Sequence, residues 1–258
     1  MATLAPARPG EPPNGPPNGP PNAPPNAPPN GPPLPALRPA FGRLGAPLGR
    51  VLGRPWGRAL VWAASLAPMA YIGWQLWLAF NGEPHALGRE PVKGAEHATG
   101  EQAIRFLLVS LAVTPTRQLT GWNWLARYRR VFGLVMFAYA TAHLLAYAVL
   151  DLELQLGEVA TEIAKRPYLV VGFLAWVLLV PLAATSTAGW IRRLGGARWR
   201  ALHRLAYAAA ALGTAHYWMS QKKDHSEPLA WGLGFAALFA WRAWYARRGD
   251  AAARPTAE

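Results

Sequence analysis

Long apolar stretches, separated by short loops that are either basic or acidic, constrain this chain more than any other feature. A helix needs about 20 predominantly apolar residues to cross the ~30 Å hydrocarbon core of a bilayer. Six stretches approach that length: roughly Ala59–Phe80, Ala103–Thr114, Val131–Leu150, Tyr168–Thr185, Ala201–Met219 and Leu229–Tyr245. The pattern predicts an all-α fold, an integral membrane bundle of about six transmembrane helices, with the short second stretch as its weakest span.

Charged residues predict the orientation of this bundle, because basic and acidic loops alternate. The basic groups are Arg50, Arg54 and Arg58; Arg117, Arg127, Arg129 and Arg130; Arg192, Arg193, Arg198 and Arg200; and Arg247 and Arg248. The acids of the opposite loops are Glu83, Glu90, Glu96, Glu101, Asp151, Glu153, Glu158, Glu162, Asp224 and Glu227. Under the positive-inside rule both termini are then cytoplasmic. We therefore interpret the basic residues behind the net charge of +13 as orientation signals that face an anionic leaflet, and we expect no nucleic-acid partner.

The N-terminal region repeats Pro-Pro-Asn-Gly or Pro-Pro-Asn-Ala from Pro12 to Pro33. Because proline removes backbone donors and fixes φ, we expect an extended, solvated segment, and without an apolar h-region it is not expected to be a signal peptide. The predicted organisation is a disordered cytoplasmic tail over residues 1–55, a transmembrane domain over 56–248 and a short cytoplasmic tail over 249–258. The first tail is either a dispensable extension or a docking motif for a partner.

Histidines carry the candidate chemistry. The chain has no Cys, so metal or redox chemistry must rest on His, on carboxylates or on a bound organic cofactor. Three of the six His lie inside predicted spans: His143, His203 and His216. Each is a functional-site hypothesis, against the alternative that it packs and hydrogen-bonds a neighbouring helix. Imidazoles without intramembrane carboxylates suit haem iron, copper or zinc, and opposed imidazoles in an apolar bundle favour a bis-His haem.

Depth in the membrane pairs two of these histidines. His143 follows Arg130 by 13 residues, which places it ~20 Å from the cytoplasmic face. The fifth predicted span starts near Arg200 on the same face, so His216 lies at a similar depth on another helix. We therefore predict that His143 and His216 ligate one haem near the periplasmic side. His203 lies close to the cytoplasmic face and is either a ligand of a second haem or a packing residue.

The remaining histidines lie outside the predicted spans. His85 and His225 fall in polar loops and are predicted to be solvated. His97 precedes the second predicted span, where it is either a loop residue, with Thr99 capping the helix, or a contact of the outer haem.

A family resemblance rests on several short strings that follow one another along the chain. They are His97-Ala-Thr-Gly100, Arg105-Phe-Leu-Leu108 with Val113-Thr-Pro115, Tyr128-Arg-Arg130, Thr141-Ala-His-Leu144, Arg166-Pro-Tyr168, Thr185-Ser-Thr187, Arg200-Ala-Leu-His203 and Ala215-His-Tyr-Trp218. The three intramembrane histidines are separated by 60 and 13 residues. By these strings, residues 56–248 resemble the MsrQ (YedZ) family within the ferric-reductase-like transmembrane superfamily, and the proline-rich tail lies outside the resemblance.

The resemblance implies a haem b protein of the bacterial inner membrane, with one or two haems. Its implied role is to pass electrons from the quinone pool to MsrP, a periplasmic molybdopterin enzyme that reduces methionine sulfoxide in oxidised proteins. It implies FMN as well, although the sequence shows no flavin motif. Such a chain is an electron-transfer subunit without a catalytic substrate site of its own. Because no glycine-rich βαβ fingerprint appears, it is not expected to oxidise NAD(P)H.

Three further residues are candidate cofactor contacts under this interpretation. Trp218 beside His216 either belongs to an interfacial aromatic belt or borders the haem. Arg200 and Arg204 flank His203, and they either contact lipid headgroups or pair with haem propionates or an FMN phosphate. Two rival functions stay open: a stand-alone ferric or cupric reductase, and a transporter or structural membrane protein whose histidines only pack.

Overall fold

The structure is a computed structural model that describes residues 38–153 and 155–252. Within those residues it contains helices and no strand, which confirms the all-α prediction. The helices are α1 Arg38–Leu52, α2 Pro55–Phe80, α3 Pro91–Thr120, α4 Arg129–Leu145, α5 Leu156–Lys165, α6 Pro167–Ala184, α7 Ala188–Leu194, α8 Gly196–Leu202, α9 Leu205–Ser220 and α10 Ser226–Ala252. A 3-10 helix over Asn123–Tyr128 precedes α4, and a π-helical segment over Ala146–Asp151 follows it.

Local sequence determines where the long helices begin and end. Pro55, Pro91 and Pro167 start α2, α3 and α6, a position where proline's missing N–H costs nothing and its fixed φ suits the helix. Gly121 ends α3 in the left-handed region, at φ 76°, and its N–H donates to the Arg117 carbonyl at 3.0 Å. These signals define the helices independently of their packing.

In the described part of the chain, three helical runs are long and apolar enough to cross a membrane by length and composition. They are α2, α6 and the run Asn123–Asp151, which joins the 3-10 helix, α4 and the π-helical segment. On α2 the side chains of Tyr71, Trp74, Trp77 and Phe80 are all more than half exposed. A surface of such large apolar side chains suits contact with lipid rather than water. Of the other three predicted spans, the second lies within α3, the fifth covers the end of α8 and most of α9, and the sixth lies within α10.

The main core lies between α3, α4, α6, α9 and α10. Its buried residues are Ile104, Leu107, Leu111, Met136, Leu179, Leu182, Ala209, Ala210 and Phe235. Indole groups add polar links between helices: Trp176 Nε1 donates to Thr141 Oγ1 at 3.0 Å, and Trp241 Nε1 donates to Gln118 Oε1 at 2.9 Å. The first link joins α6 to α4 and the second joins α10 to α3, so packing and hydrogen bonds together hold these helices in one register.

Two buried tyrosines attach the N-terminal helices to this core. The Tyr139 hydroxyl on α4 donates to the Ser65 carbonyl on α2 at 3.0 Å. The Tyr128 hydroxyl donates to the Leu52 carbonyl, the last residue of α1, at 2.5 Å. Both rings are almost completely buried. Their hydroxyls therefore need these acceptors, because an unpaired buried donor would be costly.

The predicted tails differ from the structure where it describes them. Residues 1–37 and 253–258 lie outside the described residues, but the last part of the first predicted tail forms α1. There a Cβ on Gly49 would lie 2.8 Å from Trp124 Cδ1, so the indole packs directly on the helix backbone. At the other end α10 continues past the predicted boundary to Ala252. Helical continuity and aromatic packing extend the ordered region in ways that proline content and hydropathy do not predict.

The third helix is longer than the predicted second span. It runs for 30 residues from Pro91, and Pro115 lies inside it rather than beyond its end. The Thr99 hydroxyl, predicted to cap the helix, donates to the Ala95 carbonyl at 2.8 Å within it. His97 is therefore a helical residue, and the loop interpretation of it is wrong. The apolar criterion missed the first turns of α3 because they are polar.

The fifth predicted span is interrupted near its start. Helix α8 ends at Leu202 and α9 begins at Leu205. Between them the His203 N–H donates to the Trp199 carbonyl at 3.0 Å, and the Arg204 N–H donates to the Ala201 carbonyl at 3.2 Å. His203 thus lies in the turn between two helices, not within the span.

Candidate haem site

His143 is held by a backbone carbonyl of the neighbouring helix. It projects from α4, and its Nδ1 lies 2.8 Å from the Glu96 carbonyl oxygen on α3. A carbonyl only accepts, so Nδ1 carries the proton and Nε2 keeps its lone pair. A metal-binding histidine typically has this arrangement, with its other ring nitrogen donating to a carbonyl.

His216 repeats the arrangement on a second pair of helices. It projects from α9, and its Nδ1 lies 2.8 Å from the Tyr168 carbonyl oxygen on α6. The Tyr168 ring also stacks on the imidazole, with ring centroids 6.1 Å apart. The same tautomer follows, so both histidines leave Nε2 available as a ligand.

The two imidazoles lie opposite each other. The ring centroids of His143 and His216 are 6.0 Å apart and their planes meet at 74°. Two imidazoles on one metal ion have centroids about 6 Å apart, since each metal–nitrogen bond is about 2 Å. The structure therefore brings together the two residues that sequence depth paired, at a distance that fits one iron between them.

The number of protein ligands distinguishes among metals. Across residues 38–153 and 155–252, no group of three or more His, Cys, Asp or Glu side chains comes together as a metal site. Zinc and copper sites commonly take three or four protein ligands, whereas a haem brings its own equatorial nitrogens and needs only axial ones. An isolated pair of imidazoles therefore fits haem better than it fits a bare ion.

Two glycines lie against these rings. A Cβ on Gly172 would lie 2.6 Å from His216 Nδ1, and a Cβ on Gly100 would lie 3.1 Å from His143 Nδ1. Gly100 lies in one of the strings that carry the family resemblance, but no role was predicted for either glycine or for the two acceptor carbonyls. A glycine inside an apolar helical segment was the available signal, because it costs helix stability and usually has a packing reason.

The end of the site that faces the acidic loops carries a carboxyl group. Glu96, which precedes the predicted span, has a half-buried side chain whose Oε1 is buried without a hydrogen-bond partner in the described part of the chain. The neighbouring side chain, His97, is exposed. The structure thus places His97 one position from the acceptor of His143 but does not bury it there.

Trp218 and His225 contact each other. Their rings stack with centroids 4.5 Å apart, and 44% of the Trp218 surface is exposed. His225 is half-buried, so the prediction that it is solvated is wrong; the exposed indole shields it. His85 is also half-buried, and its Nδ1 accepts from the Leu87 N–H at 3.3 Å. A polar loop sequence did not reveal these contacts because both depend on chain folding next to the helix ends.

His203 has contacts of its own. Its Nε2 lies 3.1 Å from Thr185 Oγ1, and its ring stacks on Trp199 with centroids 3.9 Å apart. Trp199 Nε1 in turn donates to the Thr185 carbonyl at 3.0 Å. The flanking Arg200 and Arg204 are exposed. This cluster joins the turn before α9 to the end of α6.

The exposed apolar surface of α2 and the paired histidines are typical of a helical membrane protein with a candidate cofactor site between its helices. Residues 99–214 match the family described as ferric reductase like transmembrane component. The matched region contains His143 and His203, and His216 lies two residues beyond it.

Curated relatives identify the family within this class. Proteins named "Protein-methionine-sulfoxide reductase heme-binding subunit MsrQ" from Xanthomonas oryzae pv. oryzae (strain MAFF 311018) and Xanthomonas campestris pv. campestris (strain B100) are 50% and 49% identical to the chain over 187 residues, or 72% of this chain and 85% of each relative. The protein of the same name from Caulobacter vibrioides is 44% identical over 189 residues, 73% of this chain and 87% of that protein. The chain belongs to the MsrQ family, which confirms the resemblance. No solved structure matches it.

Proposed function

We propose that this chain is a haem b electron-transfer subunit that passes electrons from the quinone pool to a periplasmic molybdopterin methionine sulfoxide reductase of the MsrP kind. The observation that carries the proposal is the opposed pair His143 and His216, each oriented by a backbone carbonyl. The names of the relatives, which describe heme-binding subunits of a methionine sulfoxide reductase, support haem binding and a partner of that reductase class.

The chain's own residues account for binding and orientation at this site. His143 and His216 would hold the haem through Nε2, and the carbonyls of Glu96 and Tyr168 fix the two ring planes. The bound haem supplies one-electron transfer. The surrounding helices contribute a low-dielectric environment, which limits water access and influences the reduction potential.

We place six helical runs across a bacterial inner membrane: α2, α3, α4 with its π-helical continuation, α6, α9 and α10. Both termini are then cytoplasmic, by the distribution of arginines and acids. The contact of His143 with the backbone of Glu96, an acid assigned to the outer side, supports a haem near the periplasm. Such a position suits delivery of electrons to a periplasmic partner.

We assign electron entry to the cytoplasmic half of the bundle, around His203. Quinol is the proposed donor, and a second haem or FMN is the proposed carrier there, with Arg200 and Arg204 available to pair with propionate or phosphate groups. The exposure of both arginines supports their access to such groups. His97 and Trp218 remain candidate contacts at the edge of the outer site.

A redox titration of the purified protein, with haem and flavin measured per chain, tests the proposal. We expect at least one low-spin b-type haem, reducible by a quinol and reoxidised by the molybdopterin reductase plus methionine sulfoxide. A chain without a haem spectrum would support the transporter or structural alternative instead.

A stand-alone metal reductase is the second candidate, favoured by the match to a ferric-reductase-like family. The two functions separate in one assay on the reduced protein. Rapid reoxidation by a ferric chelate, with none by the molybdopterin reductase and its substrate, would replace the first proposal by the second.

A further inference from the structure

Each of the two paired histidines packs against a glycine of a neighbouring helix: His143 against Gly100 and His216 against Gly172. Gly100 lies four residues after Glu96 on α3, and Gly172 lies four residues after Tyr168 on α6. In each case the earlier residue supplies the carbonyl that accepts from a histidine. Two separate helix pairs thus use the same device with the same spacing.

Helix geometry explains the spacing of four. The residue at i+4 stands one turn above the carbonyl of residue i, and side chains of a helix lean towards its N-terminus. A side chain at i+4 therefore covers the carbonyl at i. An imidazole from a neighbouring helix therefore reaches that carbonyl with the least displacement if the residue at i+4 has no Cβ.

We infer that Gly100 and Gly172 are positioning residues, which let His143 and His216 donate from Nδ1 to a carbonyl and thereby hold Nε2 in ligating orientation. The inference rests on the proposed haem site. The two contacts differ in tightness: a Cβ would lie 2.6 Å from the ring nitrogen at position 172 and 3.1 Å at position 100. An alanine at 172 must displace the imidazole, whereas an alanine at 100 needs a movement of only a few tenths of an ångström.

The consequence for the cofactor follows from the lost hydrogen bond. Donation from Nδ1 to a carbonyl increases the basicity of the imidazole as a ligand, and loss of such a partner typically costs about 10- to 100-fold in metal affinity. A more basic ligand favours ferric over ferrous iron. Displacing either ring therefore lowers haem retention and raises the midpoint potential of the haem that remains.

The test compares Gly172→Ala and Gly100→Ala with two matched substitutions. Gly213→Ala is on α9, in the same helix as His216, with nothing within 4 Å of the added methyl. Gly133→Ala is on α4, in the same helix as His143, with only the Ser110 hydroxyl at 3.7 Å. The measurements are haem per chain, midpoint potential and the electron paramagnetic resonance spectrum of the ferric protein.

We expect Gly172→Ala to weaken haem binding about 10- to 100-fold, Gly100→Ala to keep most of its haem with a raised midpoint potential, and both controls to resemble the unmodified protein. If Gly172→Ala does not accumulate in membranes, the haem content, midpoint potential and spectrum of Gly100→Ala test the inference. Wild-type haem content, potential and spectrum in both test variants would overturn the inference. His143→Ala and His216→Ala run in parallel: haem retained in those two would instead overturn the proposed haem site.

Discussion

The imidazole of His143 faces that of His216 across 6.0 Å, and each is fixed from behind by a carbonyl on a different helix. The four helices α3, α4, α6 and α9 therefore meet at one point. Two of them supply the ligands and the other two supply the acceptors, so the pair depends on the packing of the whole bundle.

Replacing either member of this pair should remove the haem. We expect His143→Ala and His216→Ala each to reduce haem affinity by more than about tenfold, because one axial ligand remains. The measurement is the ratio of Soret absorbance to protein in purified samples. His85→Ala is the control, since that residue bonds only locally to the Leu87 N–H in the described contacts. Wild-type haem content in both single variants would show that the opposed rings are not ligands.

The link between α4 and α2 makes a prediction about stability. Tyr139→Phe removes the hydroxyl that donates to the Ser65 carbonyl and should lower the free energy of unfolding by about 0.5–1.5 kcal/mol. Thermal unfolding of the haem-loaded protein in detergent measures the change. Tyr71→Phe is the matched control, because the Tyr71 side chain is 57% exposed. Equal melting temperatures for the two variants would mean that the buried hydrogen bond contributes no net stability.

Sequence reasoning predicted the helices well where hydropathy defines them. The apolar run at Tyr168–Thr185 became α6 almost without change, since one proline starts the helix and a continuous apolar stretch follows. It also predicted that His143 and His216 lie at the same depth, because depth depends only on the rise per residue from a charged helix end.

What hydropathy could not predict depends on contacts between helices. The polar first turns of α3 form a helix because Pro91 starts it and α4 packs against it, so His97 was misplaced in a loop. The turn at His203 is stabilised by contacts with Trp199 and Thr185, and a hydropathy average does not register such contacts. The roles of Gly100 and Gly172 became evident only when the neighbouring histidines were placed against them.

Membrane topology gives a prediction that does not depend on the haem. A reporter fused after Arg248, near the end of α10, should be active in the cytoplasm and inactive in the periplasm, because the arginine-rich loops lie on that side. A second fusion within the acidic loop after α2, at Gly82, should give the opposite result. Periplasmic activity of the Arg248 fusion would mean an odd number of spans. The first span to discard would then be α9, the shortest of the six at 16 residues.

The two roles that the sequence left open for His203, cofactor ligand and packing residue, predict different effects of its replacement. A ligand or positioning residue of an inner carrier is needed for electrons from quinol to reach the outer site. A packing residue would matter only for the turn before α9. The Thr185 hydroxyl lies 3.1 Å from Nε2, the nitrogen that a ligand would use, so a ligand role for His203 requires the carrier to replace this contact.

We predict that His203→Ala keeps the haem of the His143–His216 site but slows its reduction by quinol at least tenfold, the lower end of the effect expected for a lost metal-site partner. Dithionite, which reduces haem without a specific site, should still reduce the outer haem of the variant fully.

Thr185→Val is the companion variant: it removes the hydroxyl that contacts Nε2 while keeping His203 and the shape of the side chain. Normal quinol reduction in Thr185→Val together with slow reduction in His203→Ala would assign the effect to the imidazole itself. If both variants accept electrons from quinol at the normal rate, His203 is a packing residue and the inner carrier lies elsewhere. If His203→Ala loses all haem while His216→Ala keeps it, the ligand pair is His143 with His203, and the geometry of the opposed rings has another purpose.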